Sequence, residues 1–277
     1  MSFLVIFLVI WVEKFTAWRR RIQHDGPLLG WLARLEQGIL GHSPWLLLAV
    51  LLGLPLVVLG LVLGVADALV YGWLLLPIHL LVLLFSLGRG DTMGDLGPWR
   101  DAWRREDVQG AYHVAERDLS LEPEEGTALL SQVQGHLLWQ AYQGFFAVIF
   151  WYLLLGPLLA LGYRLVALVE VHSRVESVRE AARQLRHALD WLPVRALQVT
   201  FALVGNFMAV GRALLHEVLS WDISARQLIA RTGRAAADLP EPALGEDGVA
   251  TLDALWQLLI RAAVVWYALY ALWVLLV

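Results

Sequence analysis

The sequence predicts an all-α, polytopic integral membrane protein, and two features support that prediction. Residues 44–87 contain one acidic side chain, one histidine and no lysine or arginine. Because about 20 helical residues cross the hydrocarbon core of a bilayer, this stretch is long enough to cross twice. The whole chain is 59% hydrophobic and 17% charged, which is more apolar and less charged than a typical soluble domain. We therefore expect about four to six membrane helices, together with cytoplasmic amphipathic helices.

The predicted segments follow one another in a single membrane domain, residues 1–277. They are N-terminal apolar and interfacial helices (1–43), a transmembrane hairpin (44–88), a cytoplasmic helical segment (89–136), a membrane helix or hairpin (137–172), an amphipathic and re-entrant helical region (173–254) and a C-terminal transmembrane helix (255–277).

The first segment opens with an apolar run. Residues 3–18 are long enough for a tilted membrane helix whose basic end lies in the cytosol. No basic region precedes this run and no small-residue cleavage site follows it, so we expect a retained helix rather than a cleaved signal peptide. Glu13 and Lys14 predict an interfacial ion pair. Residues 27–40 carry apolar side chains at helical spacing and predict an interfacial helix.

The hairpin is assigned to residues 45–64 and 68–87, with its turn near residues 64–67. A glycine-rich linker follows. Pro98 then opens a helix that we expect to run to about Asp118, because proline is favoured at the first helical positions. The charges on this helix indicate a solvated face.

The central apolar stretch leaves two topologies open. Residues 137–171 are interrupted by Gly156–Pro157 and predict either one long tilted crossing or two helices that form a hairpin. A charged helix follows over residues 172–189. Asp190 is placed to cap a new helix that restarts at Pro193. The ion pairs expected from i, i+3 and i, i+4 spacing are Glu170–Arg174, Glu176–Arg179 and Glu180–Arg183.

The last third is less uniform. Residues 196–215 are moderately apolar and contain glycine and asparagine, residues 239–248 predict a loop, and residues 255–277 predict a final membrane helix.

Arginine placement favours the hairpin topology. Residues 14–34, 89–117 and 174–195 are each rich in arginine, and short segments rich in basic side chains stay on the cytoplasmic side of a membrane. If residues 137–171 turn and return, all three basic segments are cytoplasmic. If those residues cross once, the third segment lies outside, against the rule.

Composition and motifs exclude several kinds of site. The chain has no cysteine, which excludes disulfides, thiolate metal sites and a cysteine nucleophile. A net charge of −4 does not indicate a nucleic-acid partner. Lys14 is the only lysine and follows no glycine loop, the eight histidines occur singly, and no zinc-binding spacing is present. We therefore predict no catalytic residue, no metal and no cofactor.

Two polar residues lie inside predicted membrane segments. His79 is either a hydrogen-bonded structural residue or part of a proton relay. Arg164 either extends its charge to the cytoplasmic face or pairs with an acid, and Glu170 is near it in sequence.

A second set of charged residues would share the cytoplasmic face in the hairpin topology. Such a set could bind a charged metabolite or a partner, or it could be a network of ion pairs that satisfy one another. Its candidate members are Glu116, Arg117, Asp118, Glu170, Asp190 and Arg195.

The segment LDWLPVRALQVTFALVGNF, which begins at Leu189, closely resembles the matching segment of the AmpE family. VEKF, HLLWQAYQGFFAVIFWYLLLG and the apolar C-terminal end agree in the same order, so the resemblance covers nearly the whole chain. It implies a multi-pass inner-membrane protein, described as a sensory or signalling modulator and linked to β-lactamase induction and peptidoglycan recycling. It also implies the lipid bilayer as surroundings, and either the AmpD amidase, which cleaves cytosolic anhydro-muropeptides, or an anionic muropeptide as partner. It does not indicate an oligomeric state.

A more distant resemblance connects the chain with the CbiB/CobD membrane synthases of the cobalamin pathway. AERDLSLEPEEG is similar to their GRDT…L…EEG stretch, and DWLPVR is similar to their D-x-x-P-A-R. Those synthases carry an acidic, asparagine-containing motif where this chain has residues 130–149, which contain no carboxylate. That stretch includes His136, Trp139, Gln140 and Gln143. No catalytic residue is carried over.

Three functions therefore remain open from sequence. The first is a non-enzymatic membrane regulator or sensor. The second is a membrane amide synthase with altered substrate, with Glu116, Asp118 and Asp190 as candidate acids and magnesium as a plausible ion. The third, ranked last, is a transporter subunit that uses His79 and Arg164.

Overall fold

A computed structural model describes residues 5, 8, 25–38, 43–69, 74–88, 91–122, 126–214 and 220–276. The predicted helix at residues 3–18, with the Glu13–Lys14 pair, lies almost entirely outside the described residues. Within them the chain is helical and contains no strand, which confirms the predicted all-α class. The helices are α1 (Gly26–Gln37), α2 (Pro44–Leu69), α3 (Leu75–Ser86), α4 (Gly97–Arg104), α5 (Val108–Leu119), α6 (Ala128–Ala141), α7 (Ala147–Leu155), α8 (Pro157–His172), α9 (Glu176–Val204), α10 (Phe207–Leu214), α11 (Ala225–Ala236) and α12 (Gly245–Leu276).

The chain forms two compact units, and the boundary between them falls inside helices as well as between them. Unit 1 comprises Met1–Leu87, Ala147–Asp190 and Tyr270–Val277, and unit 2 comprises Gly88–Phe146 and Trp191–Leu269.

Unit 1 is built around α8, which packs against α7, α3 and α2. Gly156 separates α7 from α8 with a φ of +76°, which glycine adopts without the steric cost of a Cβ. Pro157 then starts α8, where its missing N–H is not needed. Because α8 packs against α7, the chain turns at Gly156 instead of continuing as one straight helix, as the hairpin topology requires.

The core of unit 1 joins four helices. Leu32 of α1 and Leu47 and Leu51 of α2 pack with Val169 of α8 and Val178 of α9, and each of these side chains is at most 3% exposed. Outside lipid, the burial of apolar surface is the main favourable contribution to the association of helices. It fixes the first turns of the charged helix α9 against α1, the helix predicted from residues 27–40.

The predicted turn near residues 64–67 is wrong. Helix α2 continues through Gly64 and Asp67 to Leu69. In a lipid environment every backbone N–H and C=O must be bonded internally. We attribute the continuation to that requirement, which outweighs the low helix propensity of glycine.

Unit 2 begins with two helices where one was predicted. Between α4 and α5, Glu106 has a left-handed φ of 58°, which ends the first helix. Asp107 then caps the second helix, because its side-chain oxygen accepts a hydrogen bond from the Gly110 N–H at 2.8 Å. The single helix predicted from Pro98 to Asp118 is therefore wrong.

A π-helical turn, Tyr142–Phe146, links α6 to α7. At this turn the Gly88 N–H donates to the Gly144 carbonyl at 2.7 Å. A Cβ added at Gly88 would lie 2.5 Å from the Gly144 backbone, so only glycine permits this approach. Such π-turns are frequent near functional sites.

The remaining helices of unit 2 pack around α11, which contacts α6 and α10. Gly205 and Asn206 separate α9 from α10, within the predicted apolar stretch at residues 196–215. The final helix begins at Gly245, ten residues before the predicted start at residue 255. The predicted loop at residues 239–248 is correspondingly shorter.

Among the described residues, three stretches are long and apolar enough to cross a membrane: Pro44–Ala68, Ala128–Leu155 and Gly245–Leu276. A shorter apolar helix spans Leu75–Ser86. On α2 the outward side chains Leu54, Val57 and Leu61 are 56–65% exposed, an apolar surface that lipid would cover. The chain is a helical membrane protein. The number of crossings stays a prediction.

Candidate functional site

Arg186 of α9 is a deeply buried arginine in the described part of unit 1. Its Nη1 donates to Glu170 Oε2 of α8 at 2.7 Å, and its Nε lies 3.6 Å from Asp190 Oδ2 one turn along α9. The Tyr163 hydroxyl of α8 donates to Asp190 Oδ1 at 2.8 Å. The guanidinium carbon lies 5.8 Å from the centre of the Tyr163 ring. We call these four residues the Arg186 cluster.

Burial determines the chemistry of the Arg186 cluster. The Arg186 and Asp190 side chains are 6% and 3% exposed, and Glu170 is 23% exposed. Burial acts to lower the pKa of Arg186, but the oxygens of Tyr163, Asp190 and Glu170 outweigh it, so the pKa lies above its ordinary value. The arginine is therefore a permanent cation shared by two carboxylates, which ties α8 to α9.

Sequence reasoning selected two members of the Arg186 cluster and missed the other two. Glu170 and Asp190 were candidates, and the structure brings them together. Glu170 was expected to pair with Arg174, and that expectation is wrong: the structure pairs it with Arg186 across two helices. The i, i+4 spacing of Arg186 and Asp190 was a readable signal for one contact. Tyr163 carried no signal in the sequence.

Asp190 does not cap a new helix, so that prediction is wrong. Helix α9 runs through Pro193 without a break. Asp190 is interior to the helix, 2% exposed and bonded within the cluster. The expected pairs Glu176–Arg179 and Glu180–Arg183 are confirmed on the same helix.

The candidates Glu116, Arg117 and Asp118 lie at the end of α5 in unit 2. Arg117 is 74% exposed and donates to both carboxylate oxygens of Asp118, at 2.7 and 2.8 Å. Hydrogen bonds from Arg117 hold the pKa of Asp118 below its ordinary value. Glu116 is exposed beside them. These three residues form a charged surface strip, not a buried site.

Arg195 lies in unit 2, on the second half of α9. Its Nη2 donates to the Ser220 carbonyl at 2.6 Å, and its guanidinium lies over the Trp191 ring at 4.8 Å. Gln198, one turn further on, is 2% exposed, and within the described residues neither of its amide atoms has a hydrogen-bond partner.

Both polar residues of the predicted membrane segments have partners within unit 1. His79 Nδ1 lies 3.0 Å from the Tyr152 hydroxyl, which joins α3 to α7. Arg164 Nη2 lies 3.6 Å from Asp25 Oδ2, next to the start of α1, so its acid is Asp25 and not Glu170. Among the described residues, no group of three or more histidine, aspartate or glutamate side chains is placed to hold a metal ion.

The comparison with protein families gives one match. The family described as "Regulatory signalling modulator protein AmpE" matches residues 1–270. The chain belongs to the AmpE family. No curated protein and no solved structure matches the chain.

The AmpE-like segment contributes to both polar regions described above. Its Asp190 belongs to the Arg186 cluster, and its Arg195 holds the Ser220 carbonyl. The boundary between the two units falls within α9, between Asp190, which belongs to unit 1, and Trp191, which belongs to unit 2. The AmpE-like segment therefore places one charged, hydrogen-bonded side chain of α9 in each unit.

Proposed function

We propose that this protein is a multi-pass regulator or sensor of the bacterial inner membrane, linked to peptidoglycan recycling and β-lactamase induction and acting with the AmpD amidase pathway. The observation that carries the proposal is the family match over residues 1–270, since that family is described as a regulatory signalling modulator. The long apolar helices support the membrane location.

In such a regulator, the Arg186 cluster transmits structural change from one helix to another. It joins α8, part of the apolar hairpin, to α9, whose sequence continues from unit 1 into unit 2. A buried ion pair has few alternative partners, so a change in the α7–α8 hairpin would be passed to α9 instead of being absorbed by local rearrangement.

In the same regulator, the strip at Glu116–Asp118 is the surface that contacts the partner. Arg117 is the most exposed of the candidate arginines, and its side chain is bonded only to its neighbour in the described contacts, so an anionic partner can compete for it. The expected partner is AmpD or an anionic muropeptide.

The test is β-lactamase induction in the native host. Deletion of the gene should change the β-lactamase activity induced by a sub-inhibitory β-lactam, and the wild-type gene should restore it. Arg117→Ala should restore it incompletely. Arg105→Ala is the matched control, since Arg105 is also an exposed arginine of unit 2. Deletion without effect on induction would refute the proposed function.

A binding measurement separates the two partners. The protein in nanodiscs is tested for retention of purified AmpD and, separately, for binding of an anhydro-muropeptide. Weaker binding of one of them by Arg117→Ala, but not by Arg105→Ala, would identify the partner. If Arg117→Ala and Arg105→Ala bind AmpD equally well and the anhydro-muropeptide equally well, the strip at Glu116–Asp118 is not the contact surface.

A further inference from the structure

An apolar stripe follows the second half of α9 in unit 2. Leu192, Val199 and Leu203 are 43%, 61% and 67% exposed. Their i, i+7 and i+11 spacing places them on one face of the helix. This stretch of α9 is not among the three long apolar helices. It also carries polar groups, since Arg195 lies one helical turn from both Leu192 and Val199, and Gln198 is buried.

The stripe continues onto the next helix. After the break at Gly205–Asn206, Phe207 and Met208 of α10 are each 67% exposed. The break is well bonded, since the Asn206 N–H donates to the Ala236 carbonyl at 2.8 Å and its side-chain oxygen accepts from the Ala209 N–H at 3.0 Å. The exposure of these apolar side chains is therefore part of an ordered turn between two helices.

The stripe lies beside a membrane-spanning candidate within the same unit. Trp266 Nε1 of α12 donates to Thr200 Oγ1 at 2.8 Å, and Arg261 Nη1 donates to the Val204 carbonyl at 3.4 Å. On α12 itself, Val264 is 60% exposed. These two hydrogen bonds place the second half of α9 along a part of α12 that lies inside the candidate span Gly245–Leu276.

Exposed basic residues lie on the two helices that meet at this turn. The bond from Asn206 to Ala236 places the start of α10 beside the end of α11. Helix α11 exposes Arg226, Arg231 and Arg234, and α10 exposes Arg212. Apolar side chains flanked by arginines are typical of helices that lie against a bilayer with anionic headgroups.

We propose that the second half of α9 and α10 form a further membrane-embedded element, whose apolar stripe contacts the acyl chains of bilayer lipid. The turn at Gly205–Asn206 lets the chain enter and leave this environment without a complete crossing. The hydrogen bonds that place this half of α9 along a candidate membrane-spanning helix favour lipid over a protein partner. The inference does not depend on the proposed regulatory function.

Site-directed spin labelling tests this directly, because the chain has no native cysteine to remove. Leu203→Cys and Phe207→Cys are labelled in the full-length protein in proteoliposomes. Accessibility is measured to oxygen, which concentrates in lipid, and to a water-soluble nickel chelate. Leu61→Cys on α2, 65% exposed, is the lipid control, and Gln109→Cys on α5 is the water control.

The ratio of oxygen to nickel accessibility at positions 203 and 207 should match that at position 61 and exceed that at position 109 several-fold. A ratio like that of position 109 would mean that the stripe faces water and would overturn the proposal. Low accessibility to both reagents would mean that protein covers it, which would also overturn it. Each variant is first shown to elute and melt like the wild type, so that misfolding does not imitate either result.

Discussion

Arginine–carboxylate pairs link helices in both units of this protein, and they differ in burial. In unit 2, Arg100 of α4 donates to both oxygens of Asp253 on α12 at 2.8 Å, and Arg104 donates to Glu246 at 2.6 Å. In unit 1, Arg186 joins Glu170 and Asp190. The Arg186–Glu170 contact, at 2.7 Å, is as short as those of unit 2, but the unit 2 side chains are 21–68% exposed, whereas Arg186 is 6% exposed.

The difference in burial predicts that the loss of one partner costs more stability in unit 1 than in unit 2. Water and salt screen an exposed pair, and losing one partner lets the other be solvated. A buried pair has already lost its hydration, so removal of one partner leaves a charge that nothing compensates. The exposed pairs of unit 2 should therefore contribute little to stability, and the buried pair of unit 1 should be sensitive to the loss of one partner.

The largest expected effect is that of Arg186→Met. It leaves Glu170 and Asp190 without their shared cation, and we expect a loss of about 3–5 kcal/mol in the free energy of unfolding. The measurement is denaturation by SDS in mixed micelles, followed by tryptophan fluorescence. Arg186→Met combined with Glu170→Gln and Asp190→Asn should lose less than the single variant. If the triple variant loses as much or more, unpaired charge is not the cause.

A smaller effect is expected from Tyr163→Phe. The ring stays, but Asp190 loses the hydroxyl that donates to it, and a hydrogen bond to a charged group contributes about 1.5–3 kcal/mol. The same denaturation assay applies. Tyr112→Phe on α5 is the matched control, since it removes the same oxygen outside the cluster. Equal stability of the two variants would show that the Tyr163 hydroxyl does not support Asp190.

The smallest effect is expected from Arg100→Gln in unit 2. Loss of this pair should lower the free energy of unfolding by about 0.2–1 kcal/mol, and the loss should shrink as salt is raised. The difference between wild type and variant is measured at low and high sodium chloride. A loss as large as that of Arg186→Met, unchanged by salt, would break the contrast between the two units.

Local chemistry made some parts of the fold predictable. The break at Gly156–Pro157 followed from a glycine that tolerates positive φ and a proline that suits a first helical turn. The pairs Glu176–Arg179 and Glu180–Arg183 followed from spacing on one helix. In each case the deciding residues are within four positions of one another.

Predictions from local sequence were wrong where contacts between distant residues determine the structure. Asp190 followed by Pro193 has the pattern of a helix start, yet α9 continues, because the buried side of the helix packs on both sides of Pro193 and Asp190 bonds to Tyr163. Of the candidate site, Glu170 and Asp190 were found because charges near apolar segments are conspicuous. Arg186 was missed because it resembles the surface arginines around it.

By itself the sequence determined the helical membrane class, its long apolar stretches and membership of the AmpE family, because hydropathy and backbone preference act over one or a few turns. Only the tertiary structure decided which charges meet. Arg164 pairs with Asp25 from a distant part of the chain, and Glu170 pairs with Arg186 on another helix. A charge buried in a low-dielectric interior must find an opposite charge wherever packing places one, and packing is a property of the whole fold.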